Sequence, residues 1–178
     1  MIFSSLTYLV FFGVILALMA IIPSARVKKA LLLGASYVFY AWWDYRFTAL
    51  MAFATASNYA LGRLIEGTED ERRRSHWLWA SVVLNLCVLG FFKYYNFFID
   101  AANRLLSGLG TSFPLLEIVL PVGISFIIFE VMSYTIDIYR RTNGSARSVW
   151  DLAVLVAFFP HLIAGPILKP REFLPQLA

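Results

Sequence analysis

Charge is what this sequence has least of. Only 15% of its 178 residues are Asp, Glu, Lys or Arg, and none of these lies between Met1 and Ala25. Soluble domains carry about 25% charged residues, so an ordinary water-facing domain is excluded. Cysteine is nearly absent too. The single Cys87 permits no intrachain disulfide and no thiolate metal site, and its place in an apolar run gives it a packing role. No GxSxG elbow, P-loop, dinucleotide-binding fingerprint or HExxH motif occurs, which leaves soluble-enzyme chemistry and a metal centre unsupported. No Gly/Ser-rich linker, repeat or low-complexity tract divides the chain. It reads as one domain, residues 1–178, or part of one.

What is present is apolar. Hydrophobic residues make up 60% of the chain and aromatics 17%, gathered into segments at Ser5 to Ile22, Ala30 to Trp43, Phe47 to Leu61, Trp77 to Phe92, Ile118 to Ile136 and Leu152 to Leu168. A helix needs about 20 apolar residues to cross the hydrocarbon core. Six such segments in so short a chain predict an all-α polytopic membrane protein. Met1 to Ala25 lacks a basic n-region and is followed by Arg26, Lys28 and Lys29, so it reads as a retained first span rather than a secretory signal. The second and third segments are separated only by Asp44, Tyr45 and Arg46, which predicts a tight helical hairpin. Tyr37, Tyr40, Trp42, Trp43 and Tyr45 are expected at the headgroup level.

With the N-terminus outside, ten of the 15 Lys and Arg residues fall in inner loops and five on the outer side. The positive-inside rule favours that orientation. The net charge of +4 is therefore read as topology signals in short loops, with no nucleic-acid partner. The loop from Arg63 to His76, which also holds Glu66, Glu69, Asp70 and Glu71, reads as a solvated cytoplasmic loop with internal ion pairs. After Phe92, residues Lys93, Asn96, Asp100, Asn103 and Ser107 recur at steps of three and four, a single helical stripe. An interfacial amphipathic helix is the first reading. A longer tilted span, its stripe facing protein or a water-filled cavity, is the alternative.

Two stretches carry residues capable of chemistry. In the first, Pro121 and Gly123 are expected to bend or start a helix, on which Glu130, Ser133, Tyr134, Asp137 and Arg141 share one face. A carboxylate at Glu130 is costly in an apolar run unless it is paired, protonated or facing an aqueous cavity. It is either an interhelical hydrogen-bonding group or part of a substrate path, so Glu130, Tyr134, Asp137 and His161 are the candidates for lining a tunnel or cavity. In the second stretch, Pro160, Gly165 and Pro166 interrupt the segment from Leu152 to Leu168, which predicts a kinked or re-entrant element. His161 has the imidazole of a general base, but no Ser, Asp or Cys at fixed spacing accompanies it. It is a weak catalytic candidate, with packing or cavity lining ahead of it.

These stretches resemble the membrane-bound O-acyltransferase family, and within it the alginate O-acetyltransferase branch. The resemblance rests on the opening MIFSS, on ASYVFYAWW at Ala35 to Trp43, FFKYYNFFID at Phe91 to Asp100, LPVGISF at Leu120 to Phe126, SYTIDIYR at Ser133 to Arg140, and FFPHLIAGPIL at Phe158 to Leu168. It implies a multi-pass enzyme of the bacterial inner membrane that moves an acyl group, usually acetyl, onto a hydroxyl of an exported polysaccharide. The implied donor is acetyl-CoA or a similar thioester, and no resident cofactor is implied. The implied partners are the lipid bilayer, an exopolysaccharide acceptor and periplasmic acetylation proteins. The family's catalytic histidine lies downstream of these motifs, and the resemblance covers roughly the first third of the family's usual length. No catalytic residue is therefore expected here, His161 least of all by family position, and the chain alone is expected to be inactive. A transporter or assembly scaffold, with Glu130, Asp137 and His161 along a polar path, is the competing reading.

Overall fold

In the computed structural model the described residues are 6–106, 113–116, 118–121, 123–160 and 170–173, and all the regular structure among them is helical. The helices are α1 (Leu6–Ile21), α2 (Ala25–Asp44), α3 (Arg46–Gly67), α4 (Glu71–Leu106), α5 (Ile124–Tyr139), α6 (Val149–Ala157) and the single turn α7 (Pro170–Phe173). The chain is a helical membrane protein, and its packing is the reverse of a water-soluble one. Ser36, Asn58, Ser81, Asn85, Glu130 and Thr135 are buried, while Leu6, Ile21, Trp42, Trp79, Phe97 and Leu105 are exposed. In lipid, apolar surface has no reason to hide and polar groups must find each other. Among the described residues, Glu71–Leu105 is long and apolar enough to cross a bilayer, and Leu6–Ile21 is a shorter apolar helix.

Helix α5 packs on α3 and α4, and α6 packs on α2 and α3. Their inner faces form one core, in which Met51 and Ile65 of α3 meet Val131 and Tyr134 of α5 and Leu152 and Leu155 of α6. A second cluster joins Ile15 of α1 to Leu32, Ala35 and Phe39 of α2 and to Phe159. Phe159 is its hub, with ring centroids 5.4 Å from Phe11 and 5.6 Å from Phe39. Gly62 marks a close approach of α3 to α5, since a Cβ there would lie 2.9 Å from both Ile138 and Tyr134. Only a hydrogen lets the two helices meet at that distance.

Several expected boundaries move. Arg26, Lys28 and Lys29 stand on the first turns of α2 rather than in a loop, because the connection is only residues 22–24. The hairpin is as tight as its sequence implied, with Tyr45 alone between α2 and α3. Trp42 and Tyr45 are exposed there, but Tyr40 turns into the core. The expected loop from Arg63 to His76 is corrected: helix occupies it except at residues 68–70. Good helix formers such as Leu64, Glu71 and Arg72 extend both helices beyond the apolar runs.

The separate amphipathic helix after Phe92 is also corrected. Helix α4 continues unbroken through 36 residues, about 54 Å at 1.5 Å per residue, far beyond a hydrocarbon core of about 30 Å. No Pro falls at the expected break, and Gly90 just before it does not interrupt the helix. Its polar stripe binds protein instead. Asn103 donates to Phe113 O at 2.9 Å and accepts from Phe113 N at 2.7 Å. Asn96 likewise donates to Leu116 O at 2.6 Å and accepts from Leu116 N at 3.1 Å. Seven helical residues rise about 10.5 Å and three extended residues about 10 Å, so heptad-spaced asparagines match an extended strap three residues apart. Asp100 is held by Arg104 at 2.7 Å on the same stripe.

Pro121 and Gly123 start α5 rather than bend it. Gly123 is the N-cap, with φ 74°, a conformation that costs glycine nothing. At the other end, Thr142 N donates to Asp137 O and Arg141 N to Ile138 O, both at 3.0 Å. This is a Schellman stop, in which Arg141 takes the left-handed position at φ 58° usually given to glycine. Helix α6 ends at Ala157, three residues before Pro160, as the broken segment required. Phe159 N then donates to Ser36 Oγ at 3.4 Å. The remainder of that segment, including His161, Gly165 and Pro166, lies outside the described residues.

Candidate functional site

The candidate face of α5 grades from interior to surface. Glu130 and Tyr134 are fully buried, Ser133 and Asp137 half-buried, and Arg141 exposed. From Glu130 to Asp137 the face rises about 10.5 Å along the helix, while Arg141, expected on the same face, stands beyond the helix end at Tyr139 in the left-handed position. Tyr134 wedges against Gly62, and its hydroxyl accepts a hydrogen bond from Ala146 N at 3.0 Å. It therefore ties the segment after α5 to the α3–α5 contact. Glu130 is 0% exposed. A carboxyl at that depth can hold a proton or a hydrogen bond between helices, and it reaches no solvent directly. His161 lies outside the described residues.

Deeper polar chemistry sits where sequence reading did not look. Asn58 of α3 and Asn85 of α4 form a reciprocal amide pair, at 3.1 Å and 2.8 Å. Ser81 donates to Asn58 Oδ1 at 2.8 Å and lies 2.9 Å from Thr135 Oγ1 of α5. All four side chains are buried, and each has its partners, so the network fixes how three helices sit against one another. Its signal was legible: Ser81 and Asn85 stand one turn apart in an apolar run.

At the polar end of the bundle, Arg74 is 3% exposed. Its Nε donates to Ile65 O at 3.2 Å, and Nη2 donates to Ile138 O at 3.3 Å and Tyr139 O at 2.9 Å. The guanidinium thus closes the C-terminal turns of both α3 and α5, where orphan carbonyls and the helix dipoles favour a cation. Glu71 takes the remaining edge at 2.8 Å and also holds Arg141 at 2.7 Å. Beside this staple, Glu66 accepts from Ser145 N at 3.1 Å and from the Ser145 hydroxyl. The hydroxyl, chiefly, holds the Glu66 carboxyl below its ordinary pKa; burial opposes it, and Ser145 N–H and Arg63 assist. Nothing in the sequence separates Arg74 from Arg72 and Arg73. Only the approach of α5 selects it.

Two cavities open on this side. One, of about 780 Å³, is lined by Glu66, Glu69, Arg74, Arg141 and Asn143 among others, with Ile138 as its apolar member. The other, of about 910 Å³, lies between α2, α3 and α6, with Arg26, Lys29 and Ser148 at one end and Leu33, Gly34, Tyr37 and Ala52 beyond. Glu130, Tyr134 and Asp137 line neither. Lys29 is bonded to Asp151. That carboxylate also closes the N-terminus of α6 in a capping box with Ser148. Among the described residues, no three His, Cys, Asp or Glu side chains gather as a metal site.

Comparison with known sequences decides the family. The chain is 45% identical over 99% of its length to the probable alginate O-acetylase AlgI of Azotobacter vinelandii. It is 44% identical, again over 99%, to the probable alginate O-acetylase AlgI of Pseudomonas aeruginosa. The chain belongs to the alginate O-acetylase family. A more distant relative, the peptidoglycan O-acetyltransferase of Helicobacter pylori, is 30% identical over 83% of the chain. The chain spans about a third of the length of its curated relatives, 36% and 34% of the first two. No family profile matches it, and no solved structure does. Of the blocks that carried the resemblance, ASYVFYAWW lies in α2, FFKYYNFFID in α4 and SYTIDIYR at the end of α5, and α4 and α5 pack on each other.

Proposed function

We propose that this chain is the N-terminal membrane portion of an O-acetyltransferase that places acetyl groups on hydroxyls of an exported polysaccharide such as alginate. The match of nearly the whole chain to alginate O-acetylases carries this reading. The peptidoglycan enzyme supports the broader class, O-acetylation of a glycan polymer. The donor is acetyl-CoA or a similar thioester, presented from the cytoplasm, and periplasmic proteins complete the transfer.

The protein resides in the bacterial inner membrane as a multi-pass chain with an external N-terminus. The bias of basic residues supports this, since Arg26, Lys28, Lys29, Arg63 and Arg72 to Arg74 all fall at one end of α2, α3 and α4. In this arrangement the chain supplies the packed wall of helices against which the catalytic region folds. Glu130, Tyr134 and Asp137 belong to that wall or to a path beside it.

The test is deletion of the full-length gene and complementation, with acetyl content of the secreted polymer as readout. Restored acetylation by wild type and a fall with Glu130→Gln at equal membrane abundance are expected. Unchanged acetylation in the deletion strain, with loss of uptake of a solute, would turn the assignment to transport.

A further inference from the structure

The cavity between α2, α3 and α6 has a polarity gradient that the acyl-transfer reading does not use. Arg26 stands at its mouth, exposed and without an ion pair among the described residues. The neighbouring cation, Lys29, is already taken by Asp151, and Asp151 in turn is closed over by Ser148. One uncompensated positive charge therefore remains at the opening. From Arg26 to Tyr37 is eleven residues, about 16 Å along α2, and between them the wall is Ala30, Leu33 and Gly34. At Gly34 a Cβ would meet nothing within 4 Å, so the wall is open there. Trp150, 63% exposed, flanks the opening on α6. Its indole is the side chain that settles at the headgroup boundary of a bilayer.

We propose that this cavity binds an anionic phospholipid of the adjacent leaflet, its headgroup phosphate on Arg26 and one acyl chain running past Gly34 toward Tyr37. A free anion would satisfy Arg26 and leave the apolar throat unfilled. A neutral lipid would fill the throat and leave the cation unmatched. An amphiphile with a negative head satisfies both, and the bilayer offers one laterally. Lys29 does not compete for the phosphate, because Asp151 neutralises it.

The experiment uses the full-length protein reconstituted into phosphatidylcholine vesicles that contain a minor fraction of tail-brominated lipid, either phosphatidylglycerol or phosphatidylcholine. Bromine quenches nearby tryptophan, and the difference between wild type and Trp150→Phe isolates the Trp150 signal. Brominated phosphatidylglycerol is expected to quench Trp150 more strongly than brominated phosphatidylcholine. Arg26→Gln should lower that preference about five-fold, the equivalent of about 1 kcal/mol for one basic residue at an anionic lipid surface. Gly34→Leu fills the throat without touching the charge and improves helix propensity, so it should remove the preference while circular dichroism stays unchanged. Equal quenching by the two lipids in wild type, or a preference that survives both substitutions, overturns the proposal. Release of the brominated lipid by added acetyl-CoA overturns it as well, and assigns the cavity to a soluble thioester.

Discussion

Replacing Arg74 by alanine should destabilise the bundle more than any other change on its polar end. The side chain is 3% exposed and serves three backbone carbonyls on two helices. A hydrogen bond from a charged donor contributes about 1.5–3 kcal/mol, but such terms do not add once the cavity relaxes or admits water. Removing one partner of a buried charged cluster costs about 3–5 kcal/mol, and that is the magnitude expected for Arg74→Ala. Its ion pair with Glu71 is a minor part, because the Glu71 side chain is 63% exposed and pairs of that kind contribute about 0–1 kcal/mol. The two effects separate by mutation. Glu71→Gln should cost less than about 1 kcal/mol, and Arg74→Lys should fall between, since an ammonium cannot fork across Ile65, Ile138 and Tyr139 at once. The assay is unfolding of the full-length protein in mixed micelles by increasing anionic detergent, followed by circular dichroism. Equal losses for Glu71→Gln and Arg74→Ala would refute the reasoning and assign the stabilisation to the surface pair.

Four further outcomes follow from the geometry. Asn85→Ala leaves Asn58 without its amide partner and should cost about 1–2 kcal/mol in the same assay; no loss would mean that the network is dispensable. Gly62→Val drives side-chain atoms into Tyr134 and Ile138, so a loss of about 1–3 kcal/mol is expected, and wild-type stability would show that α3 can move away. Leucine at both Asn96 and Asn103 should free the strap at 113–116, read as faster amide exchange at Phe113 and Leu116, whereas unchanged protection would place its anchorage elsewhere. Glu66 has a lowered pKa in the folded protein, so its contribution is present above the unfolded carboxylate value and is lost as pH falls through the folded one. Ser145→Ala should therefore reduce the acid sensitivity of unfolding in that range, and an identical pH profile would exclude Glu66 as its source.

How much of this was legible before any coordinates follows from which interactions are local. The apolar runs of α1 to α4, the turn at Tyr45, the start at Pro121 and Gly123, and the stop before Pro160 are decided within a few residues, and each stands in the fold near where the sequence put it. Helix continuity through Phe92 is also local, but a change from apolar to striped composition resembles a break; of the two readings this leaves open, the longer helix with its stripe against protein is the one that forms. The stripe has the four-residue strap 113–116 as its partner, and no periodicity announces such a partner. Ser148 and Asp151 carry a capping-box spacing that could have been read and was not.

Composition and order alone made this a helical membrane protein and supplied the blocks that place it among alginate O-acetylases. They also put Glu130, Tyr134 and Asp137 on one side of α5, because helical spacing is a property of the chain. Tertiary structure decided which of three consecutive arginines is buried, since only Arg74 meets the ends of both α3 and α5. It decided that Tyr134 closes on Gly62 and Ala146 rather than on either of the cavities described. It also left Arg26 unpaired among the described residues while neutralising Lys29, three residues away on the same helix. The physical reason is common to all three: a charge or hydroxyl is defined by what a distant segment brings within about 3 Å of it, and spacing along one helix does not encode that approach.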